Sequence, residues 1–388
     1  MPTEWKQVLN LFSSCFSKPQ FANFCLYTTA LAVSHHAVIS RLAGFAPDKD
    51  QSSLNRYLTE SPWDDAAVKD RLSRLTARTF KDCYIAVLDD TLSAKPYAKK
   101  MEHLGMFRDG LDGEVKQGHS VVTFGLTGME GTFVPFDHEL YVADSGRSKN
   151  DIGVCMLDRT NRFKKPLIAV FDTWYSNEKI IGKCKEKGIR FITEIKSNRN
   201  VNIGNRKRYV REHEKHIKFK DWKEHVIEGR KFRSFSTSAF ISNIGHVRLV
   251  FSQMWFEDDE KWSETYYLTT DLLGMQDFDV IRHYLLRSGI EGFHREAKQQ
   301  LGLNKYQLQK SRGIERHLFL AMLVYVMLLM LLKHLLLKSG REVSLSSISI
   351  GKLCQLLRRE LYTALLRRAK HYNSDYIKRL ASKLAYAM

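Results

Sequence analysis

The sequence predicts an α/β fold built on a mixed sheet, and three features carry that prediction. Two short apolar runs stop at acids: Tyr84-Ile85-Ala86-Val87-Leu88 before Asp89-Asp90-Thr91, and Leu167-Ile168-Ala169-Val170-Phe171 before Asp172. This is the pattern of buried strands whose ends leave the core. Between them, Val121 to Thr127 and Thr132 to Val142 flank Gly128-Met129-Glu130-Gly131, which predicts a hairpin. After the second run, Ser176 to Lys187 reads as a helix and Arg190 to Ile195 as a further strand. Strand, hairpin, then strand–helix–strand is the order of a mixed α/β sheet.

The flanks differ in character. Residues 1–80 read as a helical N-terminal region in which Ser61-Pro62-Trp63-Asp64 has the form of a capped helix start, with Ser61 as N-cap and the helix running to Thr79. Residues 81–196 and 278–335 form the expected core. They are separated by residues 197–277, a basic and aromatic stretch of alternating character (Phe232-Arg233-Ser234-Phe235, His246-Val247-Arg248-Leu249-Val250) that reads as a β-rich insertion. One long helix is expected from Asp279 to Leu301, and a basic helical region over 336–388. Residues 338–388 hold eleven Lys or Arg against three acids, a candidate DNA-contacting surface or an ordinary solvated face. No period of 20 to 50 residues repeats, which excludes solenoids.

Charge narrows the class of partner. The 388 residues carry 61 Lys and Arg against 43 Asp and Glu, a formal charge of +18, which favours a polyanion such as nucleic acid. The six cysteines are scattered, with neither a CxxC pair nor zinc spacing, and read as free thiols. The N-terminus lacks the form of a secretory signal, so the expected location is cytoplasmic, associated with the nucleoid. Leu318 to Leu332 has no charge, but Lys333 and His334 interrupt the apolar stretch before it reaches the length of a span, so it reads as a core helix with no membrane partner.

The chemistry is suggested by acids. On a helix at about 100° per residue, with Tyr284 as zero, Arg287 falls near −60°, Glu291 near −20° and Lys298 near −40°. Leu286, Ile290, Phe293, Ala297 and Leu301 occupy a separate apolar stripe. A carboxylate between cations suits phosphate handling, and an amphipathic helix with a mixed charged face gives the same pattern. Gly289 and Gly292 weaken that helix and invite close approach, whether of DNA or of another element. Asp90 and Asp172, 82 residues apart, end the two strand-like runs, and Glu291 lies 119 residues further on. Three carboxylates brought together repel unless divalent cations neutralise them, and hard oxygen donors suit Mg²⁺.

Here the sequence resembles the DDE transposases of bacterial insertion sequences, specifically the insertion-sequence-four-like group whose third acid lies in a Tyr-x2-Arg-x3-Glu-x6-Lys signature. Tyr284, Arg287, Glu291 and Lys298 match that spacing at every position. Leu88-Asp89-Asp90-Thr91 looks like the family's first-acid strand, Val170 to Ser176 like its second, and the stretch LTESPWDD from Leu58 to Asp65 is similar to related N-terminal regions. The resemblance spans about residues 20 to 330.

It implies an RNase H-like core interrupted by the β-rich insertion, with Asp90, Asp172 and Glu291 as metal ligands. The metal would be Mg²⁺, with Mn²⁺ as a substitute, and two ions per site. Asp90 is chosen over its neighbour Asp89 because the family's acid directly precedes the threonine, leaving Asp89 a supporting or capping role. Tyr284, Arg287 and Lys298 would bind the DNA backbone. Trp255, Trp262, Tyr266 and Tyr267 are available to stack on a flipped base, although a core role is the better reading for each. The implied activity is binding of inverted repeats, cleavage of double-stranded DNA at element ends and joining of the 3′-hydroxyl to target DNA, by a homodimer when DNA is bound. The alternatives are a domesticated DNA-binding regulator, or an RNase H-like nuclease without strand transfer.

Overall fold

The computed structural model describes residues 2–34, 38–42, 50–110, 112–162, 167–340 and 344–369. Among the described residues the first helices are α1 (Thr3–Asn10), α2 (Lys18–Val33), α3 (Ile39–Leu42), α4 (Gln51–Thr59) and α5 (Asp65–Thr79). The start of α5 differs from the expectation. Asp64, not Ser61, is the N-cap, its Oδ1 accepting from the Ala66 and Ala67 N–H groups at 2.9 and 3.1 Å. Ser61 to Trp63 stays outside the helix because the Ser61 and Trp63 carbonyls accept from the Arg316 guanidinium at 2.7 and 2.8 Å. A carbonyl committed to a buried arginine is unavailable to a helix ladder.

The core follows: β1 (Ile85–Ala94), β2 (Gly105–Arg108), β3 (Val115–Thr127), β4 (Phe133–Tyr141), α6 (Lys149–Asp158), β5 (Ile168–Phe171), α7 (Glu178–Glu186) and β6 (Arg190–Glu194). The hairpin β3–β4 lies antiparallel beside β1, and β1, β5 and β6 run parallel, giving the order β4–β3–β1–β5–β6. This is the mixed α/β sheet that the sequence predicts. Helix α6 covers one face so closely that a Cβ on Gly153 would stand 2.7 Å from Leu88 Cδ2.

The insertion comprises β7 (Asn200–Ile203), β8 (Arg206–Tyr209), α8 (Val210–Glu214), β9 (Lys223–Ile227), β10 (Arg230–Ile241), β11 (Gly245–Phe256), β12 (Lys261–Trp262) and β13 (Tyr266–Thr270). It continues the core sheet, because β13 pairs antiparallel with β6 through Leu268 and Glu194, and β11 pairs with β13.

Then come α9 (Asp277–Leu285), α10 (Ser288–Gln300), α11 (Ser311–Ser339) and α12 (Ile350–Ala369). The single helix expected from Asp279 to Leu301 is therefore two. At the junction, Arg287 N–H donates to the Tyr284 carbonyl at 3.0 Å and Ile290 N–H to the Arg287 carbonyl at 3.1 Å, both tight three-residue turns. The change of direction lets α9 lie against β6, β11 and β13 while α10 crosses β1 and β4. Gly289 makes that crossing close, since a Cβ there would meet Phe133 Cβ at 3.2 Å and the Gly131 carbonyl at 3.3 Å. Gly292 meets no such neighbour. In α11, Leu318 to Leu332 is buried throughout, packed on α2, α4, α12 and β4, although by length and composition this helix alone among the described residues is apolar enough to cross a membrane. The last part of the expected basic tail, 370–388, lies outside the described residues.

Candidate active site

Strand register positions the acids. Val87 of β1 is level with Val170 of β5 in a parallel pair, and Phe171 of β5 is level with Thr193 of β6. Continuing these ladders, Asp89 comes level with Asp172, and Asp172 with Glu194. Residues level in parallel strands share a face. Three adjacent strands thus carry a row of carboxylates, Asp89 within β1, Asp172 just after β5 and Glu194 at the end of β6, directed to the face covered by α9 and α10.

Arg287, from the turn between those helices, reaches into the row. Its guanidinium donates to Asp89 Oδ2 at 3.3 Å and to Glu291 Oε1 at 2.7 Å. Burial pushes the Asp89 carboxyl up to about 7, the Asp172 charge adds to this, and Arg287 opposes it. Burial likewise raises Asp172, against Arg287 and the Trp174 and Tyr175 N–H groups, which donate to Asp172 Oδ1 at 2.9 and 3.4 Å. Glu194 is raised by burial and restrained by the Tyr284 hydroxyl, which donates to it at 2.7 Å. The region holds more negative charge than Arg287 balances.

Asp90 points the other way. Alternation puts it on the α6 face with Leu88, where Lys149 donates to it at 2.5 Å, the Tyr175 hydroxyl at 3.1 Å and the Ser120 hydroxyl at 3.2 Å. The structure therefore sets Asp89 and Asp172 on one face, joins Asp89 to Glu291 through Arg287, and sets Asp90 on the opposite face.

A family model for DDE superfamily endonucleases matches residues 12–216, and a model for the transposase DDE domain matches residues 141–327. The chain belongs to the DDE endonuclease superfamily. No curated protein matches it. Among solved structures it is similar to the piggyBac transposase synaptic complex with hairpin DNA seen by cryo-EM, at 10% identity and a TM-score of 0.48, over 99% of this chain and 81% of that one.

In this DDE chain the remaining signature residues are partly committed. Tyr284 is buried, with its hydroxyl on Glu194. Lys298 lies two turns beyond Glu291 on α10; burial lowers its pKa and Asp109 opposes that. Of the insertion aromatics, Tyr267 is buried and its hydroxyl donates to Glu214 at 2.5 Å, while Tyr266 is exposed. Trp255 and Trp262 meet edge to face at 5.2 Å, with Lys231 over both rings and Arg233 4.5 Å from the Trp262 centroid. This cluster of cations and indoles has the makings of a nucleic-acid surface.

The donor set suits a hard divalent cation, because carboxylate oxygens are the hard donors such an ion takes and Asp89 and Asp172 are held on one face by strand register. As placed, no three His, Cys, Asp or Glu among the described residues stand together closely enough to hold an ion, because Arg287 lies between Glu291 and the Asp89–Asp172 pair. Sequence reasoning missed Glu194 and Lys149. Glu194 had a readable signal, since the run Arg190 to Ile195 is a third strand ending at an acid. Lys149 had none.

Proposed function

We propose that this chain is a transposase of the insertion-sequence-four-like group that cleaves DNA at the ends of its element and joins the freed 3′-hydroxyl to a target. The observation that carries this reading is the Asp89–Asp172 pair in register, with Glu291 joined to it by Arg287. The first ligand in this reading is Asp89, not Asp90. Asp89 shares a face with Asp172, whereas Asp90 is neutralised by Lys149.

Asp89, Asp172 and Glu291 would hold Mg²⁺ or Mn²⁺, two ions per site, which supply activation of the attacking oxygen and stabilisation of the leaving one. The protein's part is positioning. The parallel ladder fixes the two aspartates, and α10 brings Glu291 across them. Arg287 neutralises the carboxylates before DNA arrives and is placed to turn to a phosphate afterwards, with Lys298 further along the same helix. Arginine suits that exchange because its planar donors fit carboxylate and phosphate alike. Trp255 and Trp262, with Arg233 and Lys231, form the surface on which an unpaired base would stack. Two ends must be held at once, so the working form is a homodimer on double-stranded DNA.

An assay with labelled element ends, Mg²⁺ and a plasmid target separates the readings: bound DNA only for a regulator, cut ends for a nuclease, joined product for a transposase. Asp89→Asn, Asp172→Asn and Glu291→Gln should each abolish cutting and joining while end binding persists. Asp90→Asn should leave cleavage measurable. Loss of cleavage in Asp90→Asn with retention in Asp89→Asn would return the first ligand to Asp90.

A further inference from the structure

Glu194 belongs to the row of carboxylates formed with Asp89 and Asp172 and has no part in the signature. Its backbone pairs with Leu268 of β13 in antiparallel register, one residue beyond Thr193, the last residue of β6 paired with β5, and this fixes the face its Cβ occupies as the one that carries Asp172. Its side chain, with three rotatable bonds, is half-buried and ends on the Tyr284 hydroxyl, a neutral donor, at 2.7 Å. The Asp172 and Arg287 charges both act on it. Accepting the reading of this region as a divalent-metal centre, we infer that Glu194 is a further metal ligand, exchanging the Tyr284 hydroxyl for the ion that Asp172 binds.

Two physical arguments support the exchange. A neutral hydrogen bond contributes little net free energy, whereas a carboxylate gains strongly from a divalent charge at close range. The same movement would release the Tyr284 hydroxyl, whose proton is committed to Glu194 in the present arrangement. Metal entry and exposure of the tyrosine then become one event.

The test is Mn²⁺ binding to the full chain without DNA, by calorimetry and by electron paramagnetic resonance, for the wild type, Glu194→Gln, Tyr284→Phe and Asp172→Asn. Glutamine keeps an acceptor for Tyr284 and so preserves the packing. Glu194→Gln should weaken Mn²⁺ binding by about tenfold or more, while Tyr284→Phe binds as tightly as wild type or tighter. Wild-type affinity in Glu194→Gln with weakened binding in Asp172→Asn would overturn the inference and leave the metal centre standing. Equal weakening in Glu194→Gln and Tyr284→Phe would also overturn it, reducing Glu194 to a support for the tyrosine. Unaltered binding in Asp172→Asn would remove the metal centre itself.

Discussion

Two arginines with little exposed surface, Arg316 and Arg287, occupy opposite kinds of region. Arg316 on α11 is buried, and each of its five N–H groups finds an acceptor: the Asp65 carboxylate at 2.7 to 3.1 Å and the Leu58, Ser61 and Trp63 carbonyls at 2.7 to 3.2 Å. Its guanidinium also lies 4.0 Å from the Trp63 ring centroid. That network ties the start of α5 to the central helix with nothing left over. Arg287 instead sits among Asp89, Asp172, Glu194 and Glu291, where one cation meets an excess of acid. Complete satisfaction marks a structural arginine. Incomplete neutralisation marks a place meant for additional charge.

The largest effect follows from breaking the satisfied network. Arg316→Met would leave Asp65 and three carbonyls without their donor and should cost about 3–5 kcal/mol, read from urea unfolding. Arg287→Met should cost less, and its cost should shrink on moving from pH 8 to pH 5, where the Asp89 carboxyl becomes neutral and no longer needs a cation. A cost for Arg287→Met at pH 5 equal to that of Arg316→Met would make the two arginines structural alike, and the contrast would fail.

The next effect comes from Asp89 alone. Its native carboxyl titrates near 7 and its unfolded one near 3.8, so between about pH 4 and 7 the native state holds more protons. The stability contributed by that proton is therefore present at low pH and lost as pH rises through 7. In chelator-treated protein, melting temperature should fall across this window more steeply for wild type than for Asp89→Asn. His138 and His317, pushed down to about 4 by burial, and His294, pushed down to about 3, act in the opposite sense, because they remain in both proteins and lose stability as pH drops below 6.5. Subtracting the two curves isolates Asp89. Parallel curves would show that Asp89 is not crowded by charge.

Much of this contrast was legible in the sequence, and the illegible parts share a cause. The run ending at Phe171, the hairpin and the helix–strand pair after Asp172 appear where local pattern puts them, since each depends on residues close in sequence. The run expected to stop at Leu88 instead continues through both aspartates to Ala94, because β3 pairs with it along that whole length. The choice between Asp89 and Asp90 depends on which face of β1 meets α10, and adjacent strand residues always face opposite ways. Only the pairing with β5 decides, and pairing is not local. The joining of the insertion to β6 through β13, the break of the signature helix at Arg287 and the salt bridge between Lys149 and Asp90 are tertiary for the same reason. The start of α5 was misplaced because Arg316, 255 residues after Ser61, claims its carbonyl.

The smallest effect concerns DNA itself. In the free chain Arg287 is held by Asp89 and Glu291, so part of what it gains from a phosphate is offset by leaving them. Lys298 faces a weaker restraint, with Asp109 the opposing charge that acts on it. Both should still contribute to end binding. Each alanine variant should lower the slope of log affinity against log salt by about one, and Lys298→Ala should lose more affinity than Arg287→Ala when metal is chelated. Adding Mn²⁺ should reverse that order, because ions on the carboxylates release the arginine to the phosphate. An order unaffected by metal would place Arg287 with Arg316, as a residue that holds the fold and not the DNA.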